Sequence, residues 1–161
     1  MKMGYAILED AILSALRMDD GERLVVRSRV QYLQASGFLE GGGRGRGHRA
    51  EYSDRDLLLT AAALTLVQTG CALKAAAATV SQNWSTFADV AESGETDGKP
   101  NRIAVTIREG AETLAVRSMT PISAIELIFA ADAGRAPAAV VMDFRTVAQT
   151  ALAKAQLLSG R

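Results

Sequence analysis

The chain has almost none of the residues on which disulfides, metal sites and many catalytic centres depend. It contains one cysteine, Cys71, and one histidine, His48. A single cysteine cannot form an internal disulfide, and one histidine excludes a site built from several histidine ligands. We therefore predict no metal, no cofactor and no catalytic residue, and we expect a protein that is not an enzyme. For Cys71 we expect a small buried side chain.

Long apolar runs are also absent. No stretch approaches the roughly 20 apolar residues that a membrane-spanning helix needs, and the N terminus has no basic-then-apolar signal segment. We expect a cytoplasmic protein that does not contact a membrane. Hydrophobic residues make up 48% of the chain and charged residues 22%, so the chain can bury an ordinary globular core.

The formal net charge is zero, but the charges are unevenly distributed. Residues 23–49 contain one acidic residue, Glu40, and six arginines, so this window carries about five net positive charges. The arginines are Arg23, Arg27, Arg29, Arg44, Arg46 and Arg49. Such a window favours contact with nucleic-acid phosphates.

The start of the chain has the pattern of two helices joined by a tight turn. Apolar residues at helical spacing predict an amphipathic helix over residues 5–16. Its outward side is predicted to carry Glu9, Asp10 and Ser14. The following MDDG supplies a turn and a helix N-cap, and a second helix is predicted over residues 22–36. Val26, Val30 and Leu33 form its apolar stripe, and Gly37 is placed to end it.

A polar face is predicted on the second helix. Arg23, Arg27, Gln31 and Gln34 follow one another at steps of four, four and three residues. Arginine and glutamine side chains read guanine and adenine edges, and both also bind phosphates. The same face could equally be an ordinary solvated helix surface. Ser28 and Arg29 lie between these residues and complete the predicted DNA-binding part of the helix.

The segment GGGRGRGHRAEY follows and alternates glycine with Arg44, Arg46, His48 and Arg49. We predict a cationic hairpin tip that lies close to a phosphate backbone. Tyr52 is predicted to anchor its far strand and to be one of the DNA-binding residues. Two weaker alternatives are a nucleotide-binding glycine loop and an RNA-binding segment rich in arginine and glycine. His48 is predicted to contact phosphate, with simple exposure as the alternative.

The rest of the chain alternates helical and strand patterns. Ser53 opens a capping pattern for a helix that Gly70 ends, and another helix begins near residue 72, with Trp84 and Phe87 as apolar anchors. After the polar stretch ESGETDGKPN we predict a β-hairpin over 102–108 and 113–118, a strand over 138–144 and a helix over 145–158. Residues 121–133 fit either a helix or a strand.

These elements predict an α+β fold in two domains. Residues 1–91 would form a mainly helical winged helix-turn-helix DNA-binding domain, and residues 102–161 a small α+β domain. The second domain is predicted to form a homodimer or to bind a protein partner, because sequence-specific DNA readers commonly pair two half-site modules.

Two segments resemble the MerR family of winged helix-turn-helix proteins. The run RVQYLQASGFL is similar to the family's recognition helix and the segment that leaves it. The run GHRAEYSDRDLLL resembles its wing, where glycine and arginine precede a tyrosine and then serine and an acid open the next helix. The resemblance covers roughly residues 20–82, and it implies transcriptional regulation through binding to double-stranded DNA. Two other functions remain open, a phage-type DNA-recognition or packaging adaptor and a protein-interaction module on a winged-helix scaffold.

Overall fold

The computed structural model describes residues 1–41, 50–93, 102–106, 115–120, 123 and 139–160. The fold is α+β, with a mainly helical N-terminal part and a small α+β part, which confirms the predicted fold class. The chain divides into two compact units, Met1–Leu64 with Val147–Arg161 and Thr65–Thr146. These bounds differ from the predicted domains of residues 1–91 and 102–161, and that division stays a prediction.

The first unit contains a helix-turn-helix and a short sheet. Its elements are β1 (Lys2–Gly4), α1 (Tyr5–Leu16), one 3₁₀ turn (Asp20–Glu22), α2 (Arg23–Ala35), β2 (Glu51–Ser53), α3 (Asp54–Gln68) as far as Leu64, and the last helix of the chain from Val147. β1 and β2 pair antiparallel, with Met3 opposite Tyr52. The predicted bounds of the first helix are confirmed.

The predicted apolar stripe of α2 is also confirmed. Val26, Val30 and Leu33 are each 0% exposed, because their spacing places them on the side of α2 that packs into the core. Gly37 has a φ of +75°, a left-handed conformation that favours glycine after a helix end. The Phe38 amide donates to the Leu33 carbonyl oxygen at 3.0 Å and closes this end.

One residue of α1 lies opposite to its predicted side. Glu9 was expected to face solvent, but its residue is 1% exposed, and the prediction for this position is wrong. The reason is long-range, since Arg23 and Arg27 of α2 meet its carboxylate and compensate the buried charge. Ser14 is exposed as predicted.

The capping pattern before α3 is confirmed in its hydrogen bonds. The Asp56 amide donates to Ser53 Oγ at 3.1 Å, and the Ser53 amide donates to Asp56 Oδ2 at 2.9 Å. This reciprocal pair satisfies two backbone donors that a helix start leaves without helical partners. Gly70, with φ +94°, follows the other end of α3 as predicted.

The second unit consists of helices and a three-stranded antiparallel sheet. Beyond the end of α3 it contains α4 (Leu73–Gln82), α5 (Trp84–Glu92), β3 (Arg102–Thr106), β4 (Ala115–Met119), β5 (Ala139–Met142) and the start of α6 (Phe144–Ser159). The strand order is β4-β3-β5. The predicted antiparallel pairing of the first two strands, the later strand and the last helix are confirmed over the residues that the structure describes.

The core of this unit forms around the central strand. Ile103 and Val105 of β3 are buried, and the Phe87 ring of α5 meets the Phe144 ring edge-on at a centroid distance of 5.1 Å. The sequence identified Phe87 as an anchor but did not predict α5 as a helix. The ambiguous segment 121–133 lies outside the described residues, apart from residue 123.

Candidate nucleic-acid interface

The outward side of α2 carries apolar and small polar side chains. Leu24 is 72% exposed, Tyr32 46% and Val25 45%, and Ser28 and Gln31 are exposed as well. Because residues four and seven apart share one side of a helix, Leu24, Ser28 and Gln31 form one row. Val25 and Tyr32 form a second row beside it. We call these five residues the outer ridge.

The two arginines at one edge of the outer ridge are paired with carboxylates. Arg23 Nη1 lies 2.6 Å from Asp10 Oδ1, and its Nη2 lies 2.8 Å from Asp20 Oδ1. Arg27 Nη2 lies 3.1 Å from Glu9 Oε2. The side chains of Arg23 and Arg27 keep 35% and 46% of their surface exposed. Part of their charge is therefore neutralised within the protein.

The four residues predicted to form one exposed polar face of α2 therefore differ in their exposure. Arg27 and Gln31 are exposed, whereas Arg23 and Gln34 are partly buried. Hydrogen bonds to Asp20 and Asp10 raise the pKa of Arg23, and the hydrogen bond and attraction to Glu9 raise the pKa of Arg27. These contacts turn the arginine side of α2 towards α1, and the outer ridge takes the outward position.

A pair of tyrosines links α1, α2 and β2. The Arg27 guanidinium carbon lies 6.0 Å from the centroid of the Tyr5 ring, within cation–π range. Tyr5 meets Tyr52 edge-on at 6.2 Å, and the Tyr52 hydroxyl donates to Gln34 Oε1 at 3.1 Å. Burial is the first cause that raises the pKa of both tyrosines. Since Tyr52 is 1% exposed, its position fits the predicted anchoring role and leaves it little surface for DNA.

A buried carboxylate joins the chain on both sides of the arginine-rich segment. Asp56 is 2% exposed, and its Oδ1 accepts from the amides of Glu40 and Gly41 at 2.9 and 3.2 Å. Its Oδ2 accepts from the amide and hydroxyl of Ser53. Burial alone would raise the pKa of Asp56, but these hydrogen bonds outweigh burial and lower it.

Backbone crowding explains why a glycine precedes the arginine-rich segment. A Cβ atom on Gly41 would lie 2.5 Å from the Glu51 carbonyl oxygen and 2.9 Å from Asp56 Oδ2. A side chain at this position would therefore push the chain away from β2 and Asp56. The local pattern of consecutive glycines did not distinguish this one from its neighbours.

The remaining predicted contact residues divide into two groups. Arg29 is partly buried, and no carboxylate in the described part of the chain forms an ion pair with it. Ser28 is exposed in the centre of the outer ridge. The other four lie outside the described residues, so their contacts stay predictions: Arg44, Arg46, His48 and Arg49.

Two exposed residues of α2 were missed by the sequence analysis. Leu24 and Val25 are apolar, yet they fall outside the spacing of the stripe that includes Val26 and Val30. Apolar residues outside the buried stripe of a helix are a sequence signal for an exposed apolar surface. Charged and amide side chains are the usual hydrogen-bonding readers of base edges, so two apolar residues gave no signal of DNA contact.

No protein-family model matches the chain, and no curated protein matches it. The resemblance to the MerR family therefore stays a prediction. In the part of the chain that the structure describes, no helix is both long and apolar enough to cross a membrane.

Proposed function

We propose that this chain binds double-stranded DNA through α2 and acts as a sequence-specific transcriptional regulator. The observation that carries the DNA contact is the surface of α2. The helix contains three arginines and no acidic residue, and its outer ridge is exposed along most of its length.

The geometry of the first unit supports this proposal. α1 and α2 are joined by a short turn, and the side of α2 opposite the outer ridge packs into the core through Val26, Val30 and Leu33. In helix-turn-helix proteins the second helix enters the major groove. α2 has 13 residues, which corresponds to about 20 Å at 1.5 Å per residue. The major groove, about 12 Å wide, admits such a helix.

The electrostatics divide the roles of the arginines. Arg23 is surrounded by carboxylates from α1 and from the turn, so its contribution is mainly to the packing of the two helices. Arg27 is half exposed beside the outer ridge, and Arg29 lies at the opposite edge. We assign phosphate contacts to Arg27 and Arg29. The predicted contacts of Arg44, Arg46, His48 and Arg49 would add to these.

The regulatory role rests on the resemblance to MerR-type regulators, and a homodimer through residues 102–158 belongs to the same proposal. A dimer would let two copies of α2 read two half-sites. One observation favours a second candidate, a protein-interaction module. Leu24, Val25 and Tyr32 expose apolar surface, which is also typical of protein contacts.

The salt dependence of duplex binding tests the proposal. Each phosphate contact contributes a slope of about −0.9 in log K against log salt concentration. We expect steep salt dependence for the full chain on a labelled duplex of random sequence, measured by fluorescence anisotropy. Arg29→Ala should reduce the slope by about 1. Arg117→Ala, which changes an exposed arginine of β4, should leave the slope unchanged. Binding that does not depend on salt, or equal effects of both variants, would contradict DNA contact through α2.

A further inference from the structure

Three residues of the outer ridge expose large apolar side chains to solvent: Leu24, Val25 and Tyr32. Single exposed apolar residues are ordinary on protein surfaces. Here Leu24, at 72% exposed, adjoins Val25, and Tyr32 lies two turns further along the same side as Val25. Adjacent exposed apolar side chains with an aromatic ring on the same side of the helix are typical of a contact surface.

The charges beside this surface point to a DNA groove as its occupant. Arg27 lies at one edge of the outer ridge and Arg29 at the other, because these positions flank the two rows on the helix. The helix carries no acidic residue. The Arg29 edge and the Arg27 edge, whose charge Glu9 partly neutralises, flank an uncharged centre and match a groove whose walls are phosphates and whose floor is formed by base edges. Ser28, a small residue in the centre, permits a close approach of the helix.

The chemistry of the groove identifies what the apolar residues contact. The thymine C5 methyl is the apolar group that base pairs present in the major groove. Helix-turn-helix proteins contact bases with the N-terminal residues of the second helix. Leu24 and Val25 are the second and third residues of α2. Resting on the proposed DNA binding, we infer that Leu24 and Val25 contact thymine methyl groups and determine the sequence preference of this chain.

Deoxyuridine substitution tests this inference because it removes only the methyl group of thymine. The preferred duplex is first selected from a randomised pool with the full chain. Each thymine is then replaced singly by deoxyuridine, and the dissociation constant is measured at one salt concentration. We expect roughly fourfold weaker binding at one or two positions, the effect of one buried methyl group.

Matched variants assign the effect to the outer ridge. Leu24→Ala or Val25→Ala should abolish the difference between thymine and deoxyuridine at those positions. Leu157→Ala, which changes another exposed leucine, 58% exposed on α6, should retain it. Circular dichroism should show the same helix content in all variants, since the changed side chains are exposed.

Several results would overturn the inference. One is a preferred duplex that is insensitive to deoxyuridine, and another is sensitivity that both ridge variants retain. A dimer of the free protein that Leu24→Ala dissociates would make the outer ridge a contact between copies. Salt-dependent binding without sequence preference would remove the inference but keep the DNA contact. Absence of salt-dependent binding to the random duplex would end the proposed function itself, before any methyl group is tested.

Discussion

Replacing the buried Asp56 with alanine should destabilise the chain, because it removes the acceptor of several hydrogen bonds. The carboxylate accepts four hydrogen bonds, from the amides of Glu40, Gly41 and Ser53 and from the Ser53 hydroxyl. Hydrogen bonds to charged groups contribute about 1.5–3 kcal/mol each, but they are not additive and water replaces some of them. The substitution keeps the bond from the residue 56 amide to Ser53 Oγ and removes the reciprocal bond from the Ser53 amide, which contributes about 1 kcal/mol. We therefore expect Asp56→Ala to lower the free energy of unfolding by about 3 kcal/mol, and the melting temperature by roughly 10 °C.

Urea denaturation followed by circular dichroism at neutral pH measures this loss. Asp89→Ala is the matched control, because Asp89 is an exposed aspartate of α5. Its free energy of unfolding should stay within about 0.5 kcal/mol of the wild type. A loss below about 1 kcal/mol for Asp56→Ala would refute the reasoning, since it would mean that water satisfies the freed amides without cost.

The contribution of the Asp56 carboxylate to the free energy of unfolding should depend on pH, because the pKa of Asp56 is lowered in the folded chain. In the unfolded chain this carboxyl should protonate near pH 3.9, while the folded chain keeps it charged to lower pH. Its contribution to stability is therefore complete above about pH 5 and is lost as the pH falls through the folded-state pKa. The difference in stability between the wild type and Asp56→Asn should be constant near neutral pH and should shrink in acid. A difference that grows in acid would contradict the hydrogen-bonded, charged form.

Two further variants test contacts in the first unit. Gly41→Ala should destabilise by about 1–3 kcal/mol, because its Cβ would overlap the Glu51 carbonyl oxygen; urea denaturation measures the loss, and an unchanged midpoint would contradict the close approach. Glu9→Gln should lower the melting temperature, because it removes the anion that two arginines share. The control Glu92→Gln changes an exposed position of α5 and should leave the melting temperature unchanged. Equal melting temperatures for the two variants would contradict the ion-pair assignment.

The helix ends that were predicted from the sequence are those with local chemical signals. Ser53 and Asp56 form their capping contacts within three residues, and Gly37 and Gly70 adopt positive φ angles directly after a helix. The start of α5 had no comparable signal. Only Asn83 separates α4 from α5, without a glycine or proline, so the two helices have the pattern of one.

The candidate site was harder to predict because its contacts join distant residues. The charge window around α2 and the apolar stripe of that helix are properties of the sequence alone. Which arginines meet carboxylates is not, since Glu9 lies 14 residues from Arg23 and 18 residues from Arg27. Helical spacing shows which residues share a side of the helix. It does not show whether the arginine side or the Leu24 side faces outward.

The buried Glu9 contributes to the orientation of α2, together with the apolar stripe that packs into the core. A carboxylate that is 1% exposed requires cationic partners, because the cost of removing it from water is several kcal/mol without them. Arg23 and Arg27 supply these partners only if their side of α2 is turned towards α1. That orientation leaves Leu24 and Val25 outward, where they gain no burial in the isolated chain. The same orientation buries Val26, Val30 and Leu33, so the thymine-methyl test addresses the apolar pair that this packing leaves exposed.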